Sequence, residues 1–83
     1  MSVPAAVAAA RADLEQLRRD RGILERDIEA SKKAIENSSD EGQRKEASDR
    51  LAQTQQELQQ NEVELQAAEK ALAKAVADSK PTQ

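Results

Sequence analysis

The chain has 83 residues and a net charge of −3, from 13 Lys and Arg against 16 Asp and Glu. Its apolar residues are 16 Ala, 14 Leu, Ile or Val, and Met1, and it has no Phe, Tyr, Trp, His or Cys. That composition excludes most site chemistry: no side chain titrates near neutrality by default, no thiolate nucleophile, disulfide or thiolate metal site can form, and neither a Ser-His-Asp nor a Cys-His arrangement can be built.

The exclusions extend to other classes. Gly22 and Gly42 stand alone, so there is no phosphate-cradling glycine loop. A carboxylate-only Mg or Ca site is chemically open, but the calcium-loop pattern of alternating acids around a central Gly is absent. Fourteen larger aliphatics can hardly enclose a substrate pocket. The charge is too balanced for nucleic acid, and stacking aromatics are missing. No apolar run reaches the roughly 18–20 residues that span a bilayer. The Ala-rich start, Val3 to Ala10, lacks a basic leader and a Leu-rich centre, unlike a signal peptide. The expectation is a soluble, non-enzymatic chain with no cofactor, metal or small-molecule substrate. Its setting would be cytoplasmic or within a particle. The absence of Cys leaves the redox compartment open.

Helix formers dominate between Pro4 and Pro81, and the breakers cluster only at Asn37-Ser38-Ser39-Asp40-Glu41-Gly42. Two helices are predicted, over about 4–36 and 40–78, with a turn at about 37–40 and a polar tail over 79–83. Ser2 before Pro4 is a possible start for the first helix. For the second, Ser38 with Glu41 fits a capping box, and Asp40 with Gln43 is the alternative frame. Ser39 completes this turn-and-cap segment. Either frame puts acids at the positive end of the helix dipole. Ser79-Lys80-Pro81 ends the second helix.

Each helix carries a heptad seam. In the first, Val7, Leu14, Arg21, Ile28 and Ile35 recur every seven residues, with Ala10, Leu17, Leu24 and Ser31 three places later. In the second, Leu51, Leu58, Leu65 and Leu72 recur every seven, with Ala47, Thr54, Asn61, Ala68 and Ala75 as companions. The seams are out of phase. Extending the first from Ile35 reaches Gly42, Asp49, Gln56 and Val63, two residues short of the leucines. In one straight helix the stripe would swing by roughly 200°. The slip falls on the breaker cluster, so two independent signals mark one reversal of the chain.

The predicted architecture is therefore all-α, a two-helix antiparallel coiled-coil hairpin. A constant index sum of 79 sets Val7 against Leu72, Leu14 against Leu65, Arg21 against Leu58, and Ile28 against Leu51. Arms of 33 to 39 residues would be about 50–58 Å long. A thin rod buries its seam only partly, which favours dimerisation into a four-helix bundle or a place in a larger complex.

Several residues invite a second reading. Arg21 interrupts the seam and could fix register, or its stem could pack while its guanidinium reaches Glu25. Thr54 and Asn61 soften the second seam and could set oligomeric state. Ile23, Val63 and Val76, with the Ala-rich ends, hint at a second contact surface. Glu15–Arg19, Arg21–Glu25 and Glu29–Lys33 are spaced for ion pairs worth about 0.2–0.5 kcal/mol each. The second half is the more acidic, with six basic and nine acidic residues over 37–83. Asp40-Glu41 resembles the acidic tip of helical-hairpin transcription factors over two residues, and capping alone explains both acids.

The functional expectation is a structural or assembly protein acting through helix packing, such as an accessory subunit of a virion or other large particle. A chaperone or inhibitor that accepts a partner helix on its apolar stripe is the alternative. In size, helix content and Gln/Arg/Ala usage, though in no specific motif, the chain resembles the small hairpin chaperones of bacterial secretion needles. A parallel stalk of one continuous helix would contradict both the phase slip and the breakers.

Overall fold

A computed structural model describes residues 4–79. Helix α1 spans Ala5–Asn37 and helix α2 spans Glu41–Asp78. They pack against each other along an antiparallel hairpin, and no strand occurs among the described residues. Ser2, Lys80 and Pro81, placed at the helix ends from sequence, lie outside those residues.

The reversal is short. Ser38 and Asp40 adopt extended backbone angles (φ −93°, ψ 134° and φ −87°, ψ 121°), which breaks the helical hydrogen-bond ladder on both sides. Of the two capping frames, the chain uses the second: Asp40 is the N-cap of α2, and its Oδ2 accepts from the Gln43 amide at 3.4 Å. The box of Ser38 with Glu41 does not form, because the Ser38 hydroxyl is taken up inside the turn. It accepts from the Asp40 amide at 3.2 Å and donates to Gln43 Oε1 at 3.1 Å. Glu41 sits in the first turn, where the helix dipole favours its charge. At the other end, Pro4 precedes α1 with no side-chain cap. Its carbonyl accepts the Ala8 amide at 3.0 Å, and its missing N–H costs nothing at a helix start.

The rod measures 68 × 20 × 13 Å.

The core is one thin strip. Val7, Leu14, Ile28, Ala47 and Leu65 are its buried apolar residues, with Ser31, Thr54 and Asn61 buried beside them. Among the described residues no side chain is completely enclosed. Leu17, Leu24, Ile35, Leu51, Leu58 and Leu72 are half-buried. On α2 the line of Ala47, Thr54 and Asn61 lies deeper than most of the leucines. Small and polar side chains on that line let the helices approach, and the longer leucines flank the contact.

Candidate functional site

Among the described residues, the features able to do chemistry or recognition are the polar groups caught between the two helices and the open grooves beside them. Asp27 is the centre of the first set. It lies next to the buried Ile28 on α1 and reaches across to α2. Arg50 grips it with both Nε and Nη2, at 2.9 Å to Oδ1, and Nε is also 3.2 Å from Oδ2. The buried Thr54 hydroxyl donates to Oδ2 at 2.9 Å. The hydrogen bonds from Arg50, then that from Thr54, hold the Asp27 carboxyl below its ordinary range, with the Arg50 charge adding to them and partial desolvation opposing.

A heptad and a half along the rod sits Asn61, 5% exposed. Its Nδ2 donates to the Leu17 carbonyl at 3.1 Å, a second cross-helix tie. Its Oδ1 is buried with no donor. A buried acceptor left unmatched is costly, so Asn61 Oδ1 subtracts from the stability of the hairpin.

Arg21, by contrast, turns out of the seam. Its side chain is half exposed and its Nε donates to Glu25 at 3.1 Å. The other spaced pairs rearrange: Glu29 meets Lys32 at 3.8 Å and Arg19 donates to Gln16 at 2.9 Å. Ile23 is 55% exposed, Val63 62% and Val76 36%. Ile23 lies on the lip of a groove, while Val63 and Val76 line none of those described below.

Two open grooves run along one side of the hairpin. One, of about 360 Å³, is lined by Asp20, Ile23, Leu24, Glu57, Gln60, Asn61 and Glu64. The next, of about 470 Å³, shares Glu64 and is completed by Asp13, Gln16, Leu17, Ala67, Ala68 and Ala71. A third, on another side, is bordered by Arg18, Arg21, Glu62, Leu65, Gln66 and Glu69, with two bases on α1 and two acids on α2.

No group of three or more His, Cys, Asp or Glu residues is placed to hold a metal ion among the described residues. No described helix is long and apolar enough to cross a membrane. The arrangement can tie two helices together and present long polar and apolar surfaces.

The Asp27–Arg50–Thr54 cluster was not anticipated from sequence. The signal was present: a register summing to 79 brackets Asp27 with Arg50 and Thr54, and Asp27 is third in a series with Asp13 and Asp20 at seven-residue spacing.

Comparison with protein-family models, curated proteins and solved structures returns no match.

Proposed function

We propose that this protein is a non-catalytic structural or assembly protein: a coiled-coil helical hairpin that self-associates into a four-helix bundle or a larger complex. The observation that carries this reading is the thinness of the core. Five apolar side chains are buried, while six seam leucines and isoleucines stay half-exposed and Ile23, Val63 and Val76 stand outside the seam. At about 25 cal/mol per Å² of apolar surface, a further layer of helices would recover much of what the hairpin leaves in water. An accessory subunit of a virion or other large particle is the setting we favour, since neighbours there supply that layer.

Sedimentation equilibrium with circular dichroism, over a concentration series, tests this. The reading expects mass to rise to at least a dimer and helicity to rise with it. A fully helical monomer at micromolar concentration would contradict it. A stable one-to-one complex with a different helical protein would instead favour the chaperone or inhibitor role. Detection must use interference or peptide absorbance, because the chain has no aromatic residue.

A further inference from the structure

Asp27 and Arg50 face each other across one side of the hairpin. Moving seven residues back along α1 and seven forward along α2 leads to Asp20 and Glu57. A second such step leads to Asp13 and Glu64. Asp20 and Glu57 line one groove and Asp13 and Glu64 the next, so both steps stay on the same side of the rod. Where the first position holds an ion pair, the following two hold carboxylates on both walls.

None of these four acids lies within ion-pair distance of a Lys or Arg among the described residues. Three are met only by neutral amides, Gln16 donating to Asp20 at 2.9 Å, Gln53 to Glu57 at 3.4 Å and Gln60 to Glu64 at 3.2 Å. Between the walls the floor is Leu17, Leu24 and the small residues Ala67, Ala68 and Ala71. Asn61, with its unmatched buried acceptor, lines the same trough. Opposed like charges over an apolar floor disfavour the isolated hairpin and favour an amphipathic cationic occupant.

The chain itself carries that complement. The outer face of α1 runs Gln16, Arg19, Ile23, Arg26, Ala30 and Lys33, at alternating steps of three and four; all six are exposed, and Gln16 and Ile23 adjoin the trough as its lip. This outer face contains no acid. Its cations recur every seven residues, as do Asp13 and Asp20 on one wall and Glu57 and Glu64 on the other. Ile23 stands among the cations and is more than half exposed.

We propose that the occupant is a second copy of this chain, docking the outer face of its α1 into the acidic trough. Ile23 enters the apolar floor, and Arg19, Arg26 and Lys33 neutralise the carboxylate walls. This rests on the self-assembly reading above and names the surface that performs it.

Two double variants of the full chain test it by sedimentation equilibrium. Glu57→Lys with Glu64→Lys sets two cations against Asp13 and Asp20 and so removes the net negative charge of the trough. Arg19→Glu with Arg26→Glu makes the outer face acidic. Each alone should dissociate at least about tenfold more readily than the wild type, because the first variant removes the attraction for the cationic face and the second sets acids against acids. Glu57→Lys also recreates beside Asp20 the arrangement seen at Asp27 and Arg50, so helicity at matched concentration should hold while association falls. Mixing the two variants should restore association, since the unaltered acidic trough of one then meets the unaltered cationic face of the other. Wild-type oligomers that neither double variant weakens would overturn the proposed surface and leave self-assembly standing. Weakened variants that fail to recover on mixing would also overturn it. A monomeric wild type would remove both readings.

Discussion

Replacing Asn61 by Leu should stabilise the hairpin. Asn61 is 5% exposed, sits between the helices, and leaves Oδ1 buried without a donor. An unmatched buried acceptor costs about 1–3 kcal/mol, and the substitution removes it. It also removes the bond from Nδ2 to the Leu17 carbonyl, a net contribution of about 0.5–1.5 kcal/mol. That carbonyl is not orphaned, because within α1 it keeps the helical partner four residues on. A leucine of similar size adds apolar burial worth up to about 1.5–3 kcal/mol when complete. The balance is a gain of about 1–3 kcal/mol, and each kcal/mol raises the melting midpoint of a chain this size by about 4–8 °C. Circular dichroism at 222 nm, with urea and thermal melts at one fixed protein concentration, reads the effect. The same polar-to-apolar change removes a device that pins alignment, so the variant should populate additional oligomers in sedimentation. A midpoint unchanged or lowered would refute the reasoning, since it would mean that Asn61 is satisfied or that the seam cannot accept a branched aliphatic there.

Asp27→Asn should lower stability at neutral pH and flatten its acid dependence. A carboxyl held below its unfolded value contributes stability that is complete above the unfolded value near 3.9 and is lost as pH falls through the folded one. Urea melts from pH 7 to pH 2 should therefore show a shallower acid limb in the variant, and parallel curves would remove Asp27 from the account. Leu14→Ala, at a position 4% exposed, should cost about 2–5 kcal/mol and leave the chain largely unfolded at low concentration; retention of full helicity in dichroism would contradict the core as described. Gly22→Ala should add about 0.5–1 kcal/mol, because Gly22 lies inside α1 and a methyl there meets only the Arg26 guanidinium at 3.7 Å, and a lower melting midpoint would show unrecognised crowding.

The two-helix hairpin was legible from two features that agree: the breaker cluster from Asn37 to Gly42 and the two-residue slip between seams. Both are backbone and periodicity signals, which a single sequence carries well. The choice of cap was not legible, because Ser38 and Asp40 both suit the position and only the turn's own hydrogen bonds decide between them. The depth of Thr54 and Asn61 was obscured by a hydropathy pattern that rewards leucine, whereas close helix approach rewards small side chains. The Asp27–Arg50 pair escaped because cross-helix pairing shows itself only when residues beside the seam are read in register with the opposite arm. The acidic trough is the same case: Asp13, Asp20, Glu57 and Glu64 are unremarkable along the chain and become a feature once the arms are laid together.

The account depends most on the reversal of the chain at Ser38–Asp40. Because there is no native cysteine, single cysteines at the exposed positions Ala8 and Ala73 can carry spin labels, with unlabelled protein added so that distances within one chain dominate. Helices packed about 8–10 Å apart place the labels roughly 20–30 Å from each other once the label arms are included. A dominant separation near that value is the predicted result. A separation of about 100 Å, the rise of one uninterrupted helix over the intervening residues, would contradict the hairpin and everything built on it.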